Sequence, residues 1–110
     1  MKLPNGNRAD LGDKLESYSL NPLHREGRHK ARVFASALGI SLGNQAVLRE
    51  AVRKAAAESD DVEARGGNGF GEVFVLRFPL ATDAATATVL TAWIIRKSED
   101  FPRLTTCYIL

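Results

Sequence analysis

Residues 71–78, GEVFVLRF, have the period of two that is typical of a β-strand, with Phe74, Leu76 and Phe78 on one face. The overlapping residues 66–71, GGNGFG, contain four glycines and predict a flexible turn. We interpret this turn as a hairpin loop and not as a phosphate-binding loop, because no helix follows it. The middle of the chain therefore predicts paired strands.

Three further strands are expected around this one. A short strand precedes the turn at 62–65, and a long β-branched run follows at 86–96. After the loop SEDFP a last strand spans 103–109. Together these strands predict a four-stranded antiparallel meander with polar residues on its open face. We expect Trp93 to lie in the core.

The first half of the chain has the spacing of helices. Leu11, Leu15 and Tyr18 predict a short first helix that ends near Leu20, before Pro22. Two longer helices are expected to follow it.

The second helix is expected to begin near Glu26 or Gly27 and to end before Gly39. Its expected inward face consists of Ala31, Phe34, Ala35 and Leu38. The third helix is expected to be capped by Asn44. Its expected buried stripe consists of Val47, Leu48, Ala51, Val52 and Ala55. The chain therefore predicts an α+β fold, with two to three N-terminal helices packed on one face of the meander.

A length of 110 residues is typical of one domain, with a helical part at about 8–59 and a sheet part at about 60–110. The formal net charge is only +2, but the charges are unevenly spread. Residues 1–57 carry ten Lys or Arg and five acids, whereas residues 58–110 carry five and eight. The segment HREGRHKAR, residues 24–32, is the densest basic cluster, and its place at the start of a helix favours an anionic partner.

Several classes of protein are disfavoured by the composition. No apolar stretch approaches the roughly 20 residues of a membrane span, so we expect a soluble protein without membrane contact. The single cysteine, Cys107, fits a reducing cytoplasm and an inert buried thiol. One Cys and two unsuitably spaced His predict no metal site, and no motif predicts a cofactor.

Several segments resemble a known family. They are YSLNPLH (18–24), GRHKARVF (27–34), LG (38–39), TAWIIR (91–96) and EDFPRLTTCY (99–108). They resemble a family of small bacterial proteins catalogued as a domain of unknown function, and the resemblance covers nearly the whole chain. Such domains look like C-terminal modules of polymorphic toxins and like components encoded beside small antitoxin-like partners. The order of helices and strands is similar to that of the barnase, EndoU, colicin and RelE superfamily of metal-independent ribonucleases, a similarity of fold only.

Cleavage of RNA without a metal needs an acid, a base and cations for the phosphorane. His24 is the candidate acid or base, and Arg28 and Lys30 would hold the phosphate. In the alternative structural interpretation, His24 only caps the loop before the helix, and Arg28 pairs with Glu26 or Asp100.

Four further candidate residues come from the last hairpin. Arg96 and Arg103 lie at the ends of its two strands, and Thr106 or Tyr108 could supply a hydroxyl group. Alternatively, the two arginines only hold the loop that contains Glu99, and Tyr108 is a core residue.

Two hypotheses of function follow. The first is a metal-independent ribonuclease toxin that binds RNA phosphate through the basic start of the second helix. The alternative is a non-catalytic interaction module that binds a small acidic antitoxin-like or immunity protein. A nucleic-acid binder without catalysis is a third possibility.

Overall fold

The computed structural model describes all 110 residues of the chain. The helices are α1 (Gly27–Leu38) and α2 (Gln45–Glu58), and the strands are β1 (Val62–Gly67), β2 (Gly71–Ala81), β3 (Thr86–Arg96) and β4 (Arg103–Ile109). Short 3₁₀ turns lie at Gly6–Arg8 and Leu42–Asn44, and a π-helical turn lies at Leu15–Ser19. None of the helices combines the length and the apolar composition that a membrane span requires.

The four strands form one antiparallel sheet in the order of the sequence. β2 and β3 pair over their whole length, from Gly71 opposite Arg96 to Ala81 opposite Thr86. Side chains from the helices and from the first twenty residues share one buried cluster with one face of this sheet. The predicted α+β fold, with helices before a four-stranded antiparallel meander, is confirmed, and β3 and β4 have the predicted bounds.

The core face of the sheet follows the alternation in β2. Phe74, Leu76 and Phe78 are all buried against the helices. Trp93 stands opposite Phe74 and is also fully buried, as predicted. Its indole Nε1 donates to the Thr91 hydroxyl at 2.8 Å, and that hydroxyl donates to the Leu76 carbonyl at 3.1 Å. A chain of hydrogen bonds therefore satisfies the polar atoms of the two buried side chains.

Cys107 of β4 lies in the same core and has no exposed surface. Burial raises the pKa of its thiol to about 12. The thiol is therefore protonated at neutral pH, and a thiolate nucleophile is not formed there.

Helix α1 begins and ends where the sequence predicts. Gly39 follows it with φ of 67°, a left-handed conformation that glycine adopts without steric cost. Three of the four predicted inward residues are buried: Ala31, Phe34 and Leu38. Ala35 is exposed, contrary to the prediction, because it lies at the edge of the apolar stripe, beside a surface cavity.

The buried face of helix α2 differs from the predicted one. Val47 is 45% exposed, whereas Ala56, which the prediction left out, is buried. Asn44 does precede the helix, but its side chain does not cap it. It accepts from the Ser41 amide at 2.8 Å and donates to the Gly39 carbonyl at 3.0 Å, so it stabilises the preceding 3₁₀ turn instead.

The first predicted helix forms only in its last part. Gly12 has φ of 54°, and this left-handed residue prevents an α-helix from beginning at Leu11. Only the π-helical turn Leu15–Ser19 forms. Leu11 and Leu15 are nevertheless buried and Tyr18 is half-buried, so their spacing reflects the burial of an irregular segment and not an α-helix.

The open face of the sheet is less polar than predicted. The register places Val73, Val75, Leu90 and Ile94 on this face, and only 8% of Val75 and 7% of Leu90 are exposed. Arg77 stands among them and pairs with carboxylates of the β1 side. Aliphatic side chains therefore cover each other on this face as well as in the main core.

Candidate functional site

His24 lies in the loop before α1 and holds the start of the helix. Its Nδ1 accepts from the backbone amides of Glu26 at 3.1 Å and Gly27 at 2.9 Å. Its ring also meets the Tyr18 ring edge-on, with centroids 4.9 Å apart. Because Nδ1 is an acceptor, the ring proton resides on Nε2. The capping interpretation of His24 therefore agrees with the contacts, and the Nε2 hydrogen is the atom left for a ligand.

Lys30 connects α1 with the last strand. Its ammonium donates to the Tyr18 hydroxyl at 2.8 Å and lies 4.9 Å from the centre of that ring. It also lies 5.7 Å from the centre of the Tyr108 ring. We call Lys30, Tyr18, Tyr108 and His24 the Lys30 cluster. It brings together three of the seven predicted site residues.

A cavity of about 230 Å³ opens beside this cluster at the edge of β4. It is lined by His29, Lys30, Val33, Tyr108 and Ile109. The lining therefore combines an ammonium, two aromatic rings and aliphatic walls, and such groups are able to attract a phosphate and to stack on a base.

Arg28 lies on the opposite flank of α1 from Lys30. Together with Arg32 it lines a second cavity, of about 430 Å³, which we call the arginine cavity. Its other walls come from Leu20, Pro22, Ala31, Ala35, Ser41, Leu42 and Gly43. Arg28 forms no ion pair with Glu26 or Asp100, so the structural alternative for this residue is wrong.

Arg103 is bound to carboxylates on two sides. It donates to both Glu99 oxygens, at 2.8 and 2.7 Å, and to Asp10 at 3.1 Å. Its guanidinium also lies 4.9 Å from the centre of the Phe101 ring. Arg103 therefore holds the β3–β4 loop and the N-terminal segment, as the structural interpretation proposes. Arg96 forms no ion pair and lies exposed beside a cavity at the same end of the sheet.

The hydrogen bonds from Arg103 lower the pKa of Glu99, and the positive charges of Arg103 and Arg96 lower it further. A carboxylate whose pKa is lower in the folded state stabilises the fold above its unfolded value, and this stabilisation is lost on acidification. We therefore expect Glu99→Gln to be less stable than wild type at pH 7. The difference between their melting temperatures should shrink as the pH falls below 4.5, the ordinary value for this group. A difference that stays constant with pH would contradict this role for the ion pair.

The remaining candidates lie on the last strand. Thr106 stands opposite Ala92, and its buried hydroxyl oxygen has no hydrogen-bond partner. Tyr108 stands opposite Leu90, whereas Arg103 stands opposite Ile94. These two positions are four residues apart along β3, a separation of about 13 Å. Six of the seven predicted site residues therefore lie in three separate places: His24, Lys30 and Tyr108 at the Lys30 cluster, Arg28 at the arginine cavity, and Arg96 and Arg103 at one end of the sheet. Thr106 belongs to none of them.

Residues 24–32, which include the start of α1, have a distinctive charge pattern. Six of the fifteen Lys and Arg side chains of the chain form ion pairs with carboxylates: Lys2, Arg8, Arg49, Arg65, Arg77 and Arg103. None of the four in this segment does: Arg25, Arg28, Lys30 and Arg32. No group of three or more His, Cys, Asp or Glu side chains is arranged to hold a metal ion.

Two residues of these sites were not among the sequence candidates. Tyr18 was assigned to the apolar spacing of a helix, and nothing local shows that its hydroxyl meets Lys30, twelve residues later. Arg32 could have been found, since it follows Arg28 by four residues and therefore lies on the same side of a helix.

The fold and these clusters define a small α+β protein with an unpaired basic surface on its first helix. The chain belongs to the family described as a domain of unknown function (DUF6883), whose model matches residues 2–110. The predicted membership of a family of unknown function is thereby confirmed. Comparisons with curated proteins and with solved structures found no match.

Proposed function

We propose that this protein binds the phosphate backbone of RNA along the outer side of α1 and cleaves RNA, without a metal ion, at the Lys30 cluster. The observation that carries the proposal is the position of the Lys30 ammonium. It is held by the Tyr18 hydroxyl at 2.8 Å, faces the Tyr108 ring and has no carboxylate partner.

The charges of residues 25–32, at the start of α1, support the binding part of the proposal. Four cations within eight residues, none of them neutralised, repel one another. A polyanion relieves this repulsion and releases its own counterions, which makes binding dependent on salt. The small net charge of +2 restricts this attraction to one surface of the molecule.

The Lys30 cluster contains groups that suit RNA cleavage. In this reaction the 2′-oxygen attacks phosphorus and releases its proton to water, and the bond to the 5′-oxygen breaks. Lys30 would stabilise the negative charge that develops on the phosphorane oxygens. The Tyr108 hydroxyl would protonate the departing 5′-oxygen and recover its proton from water. The products are a 2′,3′-cyclic phosphate and a 5′-hydroxyl group.

The contacts of His24 change the role that the sequence suggests for it. Its Nδ1 already accepts from two backbone amides, and a proton there would break both hydrogen bonds. We therefore propose that His24 donates its Nε2 hydrogen to a phosphate oxygen and does not act as the acid or the base.

The direct test compares wild type with Lys30→Gln, which keeps a donor for the Tyr18 hydroxyl but removes the charge. RNA is incubated with each protein in the presence of a chelator, and binding is measured at several salt concentrations. We expect cleavage to fall by about 10²-fold and the salt dependence of binding to decrease by about one phosphate contact. Lys54→Gln is the matched control, because Lys54 is an exposed, unpaired lysine of α2.

Each outcome has a definite meaning. Intact RNA after incubation with wild type would refute cleavage. If the salt-dependent binding of RNA were nevertheless weaker in Lys30→Gln, the proposal that α1 binds RNA would stand. Equal cleavage by wild type and Lys30→Gln would remove Lys30 from the site.

A non-catalytic module that binds a small acidic protein is the second candidate. Val73 and Ile94, which remain partly exposed on the open face of the sheet, favour it, because an interface core needs apolar surface. The unpaired cations of α1 would then pair with carboxylates of the partner. Absence of any RNA binding by wild type would favour this candidate over the first.

A further inference from the structure

We infer that the arginine cavity binds a nucleotide, with its phosphate between Arg28 and Arg32 and its base against the apolar wall. The inference rests on the proposed function, since the nucleotide would belong to the RNA strand that reaches the Lys30 cluster. It adds a second subsite, on the other flank of α1.

The two arginines line the same cavity from the same side of α1. They are four residues apart, so they lie one above the other on the same side of the helix. Both line the cavity and neither has a carboxylate partner. Guanidinium groups bind phosphate through paired N–H donors, and the anion would remove the repulsion between the two cations.

The wall of the cavity suits a planar, largely apolar group. Leu20 and Ala31 are buried at its base, and Ala35 and Leu42 are exposed around it. The volume of about 430 Å³ lies in the range of small-ligand sites. Ser41 adds a hydroxyl group at the rim.

Helix geometry joins this cavity to the Lys30 cluster. Successive residues are 100° apart around the axis, so Lys30 lies 200° from Arg28. On the solvent side between them stand Arg32 and His29, both exposed. A strand that crosses the first two turns of α1 would meet Arg28, Arg32, His29 and Lys30 in this order, over a path on the order of 20 Å.

The probe for this site is adenosine 5′-monophosphate, compared with inorganic phosphate and with adenosine by calorimetric titration. We expect the nucleotide to bind more tightly than either of its parts. Arg28→Ala should weaken its binding roughly tenfold or more, because a charge-assisted contact is lost. Ala35→Leu should do the same by filling the cavity. Arg53→Ala is the matched control, since Arg53 is an exposed and unpaired arginine of α2.

A second measurement separates this inference from the proposed function. Ala35→Leu should weaken the binding of RNA and raise the RNA concentration needed for half-maximal cleavage, whereas Lys30→Gln lowers the cleavage rate at saturating RNA. If the nucleotide binds no more tightly than phosphate, the subsite is refuted while cleavage of RNA can stand. If the nucleotide binds and RNA does not, the cavity holds a free nucleotide and the proposed function fails. If Ala35→Leu left the RNA concentration for half-maximal cleavage unchanged, the cavity would not be a subsite for the RNA strand.

Discussion

Replacement of Trp93 by alanine is expected to lower the free energy of unfolding by about 3–5 kcal/mol, the usual cost of removing a large aromatic side chain from a core. Trp93 is fully buried opposite Phe74, between the helices and the centre of the sheet. Its removal leaves a cavity and also frees the Thr91 hydroxyl from its indole partner. Urea denaturation, followed by circular dichroism, measures the change.

Two matched variants divide this effect into packing and hydrogen bonding. Trp93→Phe keeps most of the volume and should cost less than Trp93→Ala. Thr91→Val keeps the shape but leaves the buried indole N–H unpaired, with an expected cost of about 1–3 kcal/mol. If Trp93→Ala cost under about 1 kcal/mol, the side chain would not be at the centre of the core.

Gly27→Ala is also expected to lower the stability of the fold. A Cβ atom at this position would overlap the carbonyl oxygen of Tyr18, which is backbone and cannot swing away. The start of α1 would have to move from the π-helical turn, with an expected cost of about 1–3 kcal/mol or more. Under the proposed function, the same movement would separate Lys30 from the Tyr18 hydroxyl and lower the rate of RNA cleavage.

Gly67→Ala is the control for this change. A Cβ atom at Gly67 would lie 3.6 Å from the nearest atom, the Gly71 carbonyl oxygen, which is an ordinary contact. We expect it to change the free energy of unfolding by less than about 1 kcal/mol. Equal stability of Gly27→Ala and wild type in urea would show that α1 does not pack on Tyr18 in this way.

The strands were predictable because their signals are local. The alternation around Phe74 and the glycines of the β1–β2 turn act within a few residues, and the hairpins then fix which strands pair. The bounds of β3 and β4 were predicted for the same reason. Prediction failed at Leu11, where the left-handed Gly12 interrupts a spacing that is otherwise helical.

The candidate site was predictable only in part. The segment of α1 holds unpaired cations where the sequence places its basic cluster. Whether a given arginine is free or paired depends on residues far away in sequence. Arg103 meets Asp10, ninety-three residues earlier, and is bound, whereas Arg28 has no such partner.

The sequence by itself determined the α+β class, the order of the strands and the basic character of α1, because periodicity, turn residues and charge act over short distances along the chain. The tertiary structure alone decided the function that each polar side chain can have. It turned His24 towards the amides of α1, placed Lys30 between Tyr18 and Tyr108, and left Arg28 on the opposite flank. The physical reason is that hydrogen bonds and ion pairs form between residues that packing brings together, and packing depends on the whole chain.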